Sequence, residues 1–436
     1  SKKHPNLLGE KTIFGVMPDW NPAEIVGLRP KRLALSLYKE LITDEIWAEQ
    51  RSDYGYRDLR SHPLLVSFLG MPYIDVRVSF NSFVPAKLDE NTAEKLVNYY
   101  ISKLDDNKSH HDKIEFAIVL SCYYFGIEKK LSKLSHFNFS SEEVDKIKNS
   151  LLEITNNIIH PAEGLYKKDL DNSKKLQEKF HSITSSDLSL IDKVYWLIKD
   201  VKKYGTLPFA GAARAGFVAV QFLKSFVSEC IITEEEYNLF LKSLNTVSKS
   251  LIKDKKTLSK QDFIRKYGHL RPGSYDISSK NYKQDYDNYF SDKKEIYTEV
   301  FFDFTSAQKS TINDKLSTYK LDVDFDQLIT FIKEAIEGRE SIKFEFTKFL
   351  NQILMYITEF GQQLKYDNFS IEELAHLDVQ EIISLYSTLD HRHVSDILRS
   401  DIKKNMEFYK YTESIKLPSI ISCPEDIYSF MMSDNT

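Results

Sequence analysis

The chain has 436 residues, 42% of them hydrophobic, enough to bury one large core or two or three smaller ones. Its 59 basic and 64 acidic side chains leave a net charge of −5 with no long basic run, which argues against a nucleic-acid partner. The longest apolar stretches, such as 217–226, are broken by Gln221, Lys224 and Ser225. They fall well short of the roughly 20 residues that span a bilayer, so no membrane partner is expected.

Residues 1 to about 90 are rich in proline (Pro18, Pro22, Pro30, Pro63, Pro72, Pro85) and read as loop-rich. Ser1 to Pro5 open without Met and lead into no apolar signal core, so an export signal is not expected and the natural start is expected to lie further upstream. Residues 73–80 alternate apolar and polar side chains and predict a half-buried strand, on which Arg77 faces a ligand or solvent. Residues 113–120, rich in β-branched and aromatic side chains, predict a second strand able to pair with it. Cys122, Cys230 and Cys423 lack CxxC spacing, which excludes a disulfide framework or four-ligand zinc site and fits a cytoplasmic setting.

From about residue 140 the pattern turns helical. Ser140-x-x-Glu143, Thr233-x-x-Glu236 and Ser370-x-x-Glu373 each read as a capping box. After Ser186, the residues Leu188, Ile191, Tyr195, Ile198 and Val201 share one helical face, and 343–360 carry a broad aromatic and aliphatic stripe. The polar stretch 276–296 predicts an exposed loop or lid. The expected fold is α+β, mainly α. A loop-rich part, 1–135, contributes a small sheet, and together with a helical part, 136–436, it forms one substrate-binding unit.

Three segments are dense in special residues: 15–24, 208–216 and 267–276. Their chemistry-bearing side chains are Asp19, Asn21, Glu24, Arg214, His269, Arg271, Tyr275 and Asp276, a set able to bind a zwitterion and move protons. In the third segment Gly268, Pro272 and Gly273 shape a loop that presents His269 and Arg271 either to a ligand or to neighbouring elements as caps. In the first, Asp19 and Asn21 either open a turn or meet a substrate. In the second, Gly211 and Gly216 read as packing residues, matching neither GxxxxGK[ST] nor GxGxxG. Arg214 among them needs an anionic partner or water if it is buried. His110-His111 and His391-Arg392-His393 fit no metal-binding pattern and read as solvated surface, so no metal site is expected.

Residues 17–25, the run 73–77 leading into Phe80-Asn81-Ser82-Phe83, and Tyr267-Gly268-His269-Leu270-Arg271-Pro272-Gly273-Ser274-Tyr275-Asp276 together resemble the central region of phosphoenolpyruvate-synthase-like phosphotransferases. The Gly-His-x-Arg part is also similar to the drug-binding domain of rifampin phosphotransferase. The resemblance implies a substrate domain working with an ATP-grasp domain, which holds ATP and Mg²⁺, and with a swivelling domain whose phosphohistidine carries the phosphoryl group. Neither a Gly-rich nucleotide loop nor a carrier-histidine context occurs among the 436 residues, and 415–421 resemble the segment before the swivelling domain. The chain is therefore expected to be the middle of a longer enzyme, inactive alone and with no cofactor of its own. Within the family the resemblance is nearest to members that phosphorylate the amide nitrogen of L-glutamine for capsular phosphoramidate. It implies Asp19, His269 and Asp276 as candidate proton acceptors, with Arg77, Arg214 and Arg271 as the cations. A sugar, antibiotic or keto-acid acceptor, or a non-catalytic adaptor, remains open on the residues alone.

Overall fold

A computed structural model of the chain describes residues 4–60, 62–290, 299–364, 368–387 and 393–432. It is 64% helical with one four-stranded antiparallel sheet, the mainly α form of α+β expected from the sequence. The strands are β1 (Phe14–Gly15), β2 (Leu65–Phe68), β3 (Met71–Asp75) and β4 (Ile420–Ile421), in the order β2-β3-β1-β4. Three come from the N-terminal third as expected. The fourth comes from the other end of the chain and pairs Ile421 with Phe14.

Helix α1 (Arg32–Tyr38) and α2 (Ile46–Asp53) precede the sheet hairpin, and α3 (Val76–Asn81) follows β3 directly. The predicted strand over 73–80 therefore stops at Asp75. That residue's Oδ1 accepts from the backbone N–H groups of Arg77 (3.1 Å) and Val78 (3.4 Å), capping the helix. Residues 76–81 are buried throughout, so the alternation does not mark a wet face. Its polar members are satisfied internally: Ser79 Oγ donates to Asp19 at 2.8 Å and Asn81 Nδ2 to the Leu8 carbonyl at 2.9 Å. The second predicted strand is also corrected. Residues 113–120 contain α4 (Ile114–Ala117), and the buried residues Ile114 and Ile118 are one helical turn apart.

The rest is a helical body. Helices α5 (Leu165–Thr184), α6 (Leu190–Val201), α7 (Leu207–Ser228) and α8 (Phe325–Gln363) pack on one another, and α2 packs on α7. All three predicted capping boxes form. The face of α6 is Ile191, Val194, Leu197, Ile198 and Val201, whereas Leu188 lies outside the helix and is exposed. A π-helical turn, Lys202–Thr206, joins α6 to α7, so Leu190–Ser228 is one 39-residue helix long and apolar enough to cross a membrane. Two thirds (67%) of its most apolar window is buried by the protein's own helices, which accounts for that apolarity as core.

Helix α8 links the two main cores. Leu328, Phe331 and Ile332 belong to one, and Phe349, Leu350 and Ile353 to the other. Between Ala335 and Ile342 its apolar stripe lapses. The stretch expected as a loop or lid contains a short helix, Tyr286–Tyr289, whose Tyr286 ring meets Phe263; residues 291–296 of it lie outside the described residues.

Candidate functional site

A cleft of about 740 Å³ opens where the two cores meet, and its walls come from all three segments singled out in the sequence. Asp19, Asn21 and Glu24 supply one side, Arg214 the inner end, and Pro272, Ser274 and Tyr275 part of the other. The lapse in the α8 stripe places Arg339, Glu340 and Lys343 on the remaining wall. A volume of this order suits a ligand of some tens of atoms.

The first segment takes an unusual shape. Asp19, Trp20 and Asn21 have φ values of 49°, 56° and 38°, three successive left-handed residues without glycine. Each such residue costs about 1–2 kcal/mol unless its surroundings hold it. Here the Tyr38 hydroxyl donates to the Trp20 carbonyl at 2.6 Å, and the Ala23 amide donates to the Val16 carbonyl at 3.2 Å. Asp19 is clamped as well, accepting from Arg51 Nη2 at 3.1 Å and from Ser79 at 2.8 Å. Pro22, buried and at the start of the following turn, stops the left-handed run.

Arg214 has the anionic partner that burial demanded. Both terminal nitrogens bind the Glu115 carboxylate, Nη2 at 3.1 Å from Oε1. Burial alone would lower its pKa, but the Glu115 charge and hydrogen bond, together with Tyr56 and Asp19, more than offset that and keep the guanidinium firmly protonated. Arg51 lies close by. Its guanidinium stacks on Phe83 at 4.1 Å, and Arg214 lies over the same ring at 4.9 Å. Two buried cations thus face two carboxylates, Asp19 and Glu115, at the inner end of the cleft.

The opposite half is aromatic. Trp20 meets Phe209 at 6.0 Å between centroids, Phe209 meets Phe346 at 5.1 Å, and Tyr38 and Tyr275 cross edge-on at 5.2 Å. Burial pushes the Tyr275 hydroxyl well above its ordinary pKa, so it acts only as a neutral donor or acceptor, and it has no hydrogen-bond partner among the described residues. At the mouth, Lys113, Lys224 and Lys343 are exposed cations, with Glu24, Asp112 and Glu340 among them.

The other candidates lie off the cleft walls. His269 Nε2 donates to the Phe344 carbonyl at 3.2 Å, and burial, with help from Lys348, lowers its pKa to about 4. Arg271 bonds the carbonyls of Asp276 (3.2 Å) and Ser279 (3.0 Å) and the Asn351 side chain (2.6 Å), and burial lowers its pKa to about 10. Asp276 accepts from the amide and hydroxyl of Ser278 in a tight turn. These three brace the loop that delivers Tyr275. Arg77, on α3 rather than a strand, donates to the Gly9 carbonyl at 2.9 Å.

Arg51, Glu115 and Lys343 escaped the sequence reading. The signal for Arg51 was there, since Trp47, Gln50 and Arg51 fall on one helical stripe and two polar side chains interrupt it. Glu115 was masked by the strand reading. Among the described residues no group of three or more His, Cys, Asp or Glu side chains could hold a metal ion; His391 and Arg392 lie outside them. No family model and no curated protein matches the chain, so the cleft itself has to carry the functional argument.

Proposed function

We propose that the cleft binds a small phosphoryl acceptor and that the chain is the acceptor-binding part of an ATP-dependent phosphotransferase of the phosphoenolpyruvate-synthase-like type. The particular enzyme we propose is L-glutamine kinase of capsular phosphoramidate synthesis, acting in the cytoplasm. The observation that carries the reading is the convergence of Asp19 to Glu24, Arg214 and Pro272 to Tyr275, up to about 250 positions apart, on one cleft.

An inner end holding two fixed cations and two fixed carboxylates suits a zwitterion better than a polyanion. On this reading the amino-acid head lies at Arg214 and Asp19, with Asn21 and Tyr275 bonding its polar atoms. The amide then points to the mouth. ATP and Mg²⁺ belong to an ATP-grasp domain, and the phosphoryl group arrives on a phosphohistidine, both outside residues 1–436. The amide nitrogen attacks phosphorus, a P–N bond forms to the substrate, the bond to the histidine breaks, and one amide proton leaves. Of Asp19, His269 and Asp276, only Asp19 lines the cleft; lying with the head at the inner end, it holds the substrate ammonium, and Glu24, exposed nearer the mouth, is the proton acceptor we assign. The exposed cations at the mouth stabilise the transferring phosphoryl oxygens.

The aromatic half and the volume favour a second reading, in which the acceptor is a larger planar molecule such as an antibiotic. Isothermal titration of this chain against L-glutamine, rifampin and simple sugars separates them. Saturable binding of L-glutamine, lost in Arg214→Met, supports the first reading. Binding only of rifampin or a sugar moves the assignment to the second, and binding of none returns the chain to a non-catalytic adaptor.

A further inference from the structure

Arg51 holds an unmet demand. Its side chain is 3% exposed and it borders the cleft, yet among the described residues only Nη2 has a hydrogen-bond partner, Asp19. Among the described residues Nε and Nη1 have no hydrogen-bond partner, nor does Nε of Arg214. All three atoms are closed to solvent in this structure, so a ligand in the cleft meets them only when the guanidinium turns toward it. Buried guanidinium N–H groups without acceptors are costly, and native proteins keep few of them without a reason. The Coulomb field agrees, because Arg51 is pushed below its ordinary pKa by burial and by Arg214, with Asp19 and Glu115 only partly opposing.

We infer that Arg51 is the specificity-determining residue of the cleft and that it recognises a planar carboxylate of the ligand, with Arg214 Nε beside it. The carboxylate enters at the inner end, and a small rotation of the guanidinium over the Phe83 ring brings Nη1 onto it while Nη2 keeps Asp19. Arg51 suits this task for a geometric reason: the stacked ring fixes its plane, and a flat two-oxygen acceptor matches a flat fork. The inference rests on the proposed amino-acid substrate only for the identity of the carboxylate, not for its existence.

The test uses two matched pairs on the 436-residue chain: benzoate against benzamide, and L-glutamine against 4-aminobutanamide, which lacks the α-carboxylate. In at least one pair the carboxylate is expected to bind ten-fold or more tightly by calorimetry, and Arg51→Gln is expected to bring that ratio close to one. If Arg51→Gln does not fold, the wild-type protein labelled with ¹⁵N-arginine answers instead. The Arg51 Nε–H resonance must then move with the carboxylate and stay still with its neutral counterpart. No carboxylate preference in either pair, a preference that survives Arg51→Gln, or an unmoved Arg51 resonance overturns the inference. Discrimination of benzoate without binding of L-glutamine leaves the carboxylate site standing and sinks the glutamine reading. Binding of L-glutamine with no carboxylate preference does the reverse.

Discussion

Arg214 and Glu115 are 2% and 8% exposed at the side chain, so each depends on the other for its charge to be tolerated. Glu115→Ala leaves a buried guanidinium unmatched and is expected to cost about 3–5 kcal/mol, read from the urea midpoint at constant slope. Asp169 shows the opposite imbalance. Burial lifts its carboxyl to about 7, and the hydrogen bond that the Tyr54 hydroxyl donates to it at 2.5 Å opposes this only in part. The folded state therefore holds a proton that the unfolded chain releases near pH 4. The stabilisation is complete below about pH 4 and is lost as pH rises through about 7. Asp169→Asn is expected to flatten this decline, matching wild type near pH 4 and exceeding it by roughly 2–3 kcal/mol at pH 8, allowing for the part of the side chain that water still reaches. Stability curves at the two pH values check it.

Helix α7 carries two glycines with different reasons for being there. A Cβ on Gly211 would lie 1.8 Å from Asp169 Oδ2 and 2.7 Å from the Tyr54 hydroxyl, so this glycine is the contact that lets α5 close on α7. Gly216 has only Arg339 Cδ at 3.5 Å and the Ala335 carbonyl at 3.8 Å, ordinary contact distances. Gly211→Ala is expected to destabilise by about 1–3 kcal/mol and Gly216→Ala to stabilise by about 0.5–1 kcal/mol, since alanine is the better helix former. Thermal denaturation of the pair gives both signs in one experiment. Two further elements brace the same region. The π-helical turns Lys39–Thr43 and Lys202–Thr206 meet, with Lys202 bonding Glu40 at 2.9 Å and the Thr206 hydroxyl bonding the Leu41 carbonyl at 2.9 Å. That hydroxyl supplies a donor to a carbonyl in the irregular turn. The cleft wall contributed by Ile42 is set by this contact.

Across the whole molecule, the C-terminal strand is tied to the loop that shapes the cleft. β4 pairs with β1, the Val16 amide donates to the Ser419 carbonyl at 3.0 Å, and Tyr73 donates to the Pro418 carbonyl at 2.7 Å. Val16, Met71, Tyr73 and Ile421 form a small separate core on this side of the sheet. Three residues beyond Val16 the left-handed turn at Asp19 begins. Ile421→Asp is expected to break this small core and speed hydrogen exchange at the Val16 and Ala23 amides at least ten-fold, while amides in the middle of α7 keep their protection. Unchanged exchange at Val16 would show that the strand pairing does not hold the turn.

The sequence by itself determined what depends on neighbours along the chain. The capping boxes at Ser140, Thr233 and Ser370 need only four consecutive residues, and the helical stripes of 190–201 and 343–360 need only their period, so both were legible and formed. The three segments 15–24, 208–216 and 267–276 stood out because core packing explained their composition poorly, and parts of each reached the cleft. Tertiary structure decided the rest. Residues 73–80 alternate like a strand, but burial on all sides turned their polar members inward and let Asp75 start a helix. His269 and Arg271 carry the right groups for a site, yet the carbonyls of Phe344, Asp276 and Ser279 claimed them, because loop geometry across 75 positions sets which acceptor is nearest. Arg51 entered the cleft for the same reason in reverse: its place among aromatic rings and carboxylates comes from helices brought together by the core, and no local pattern encodes which charges will share a buried wall.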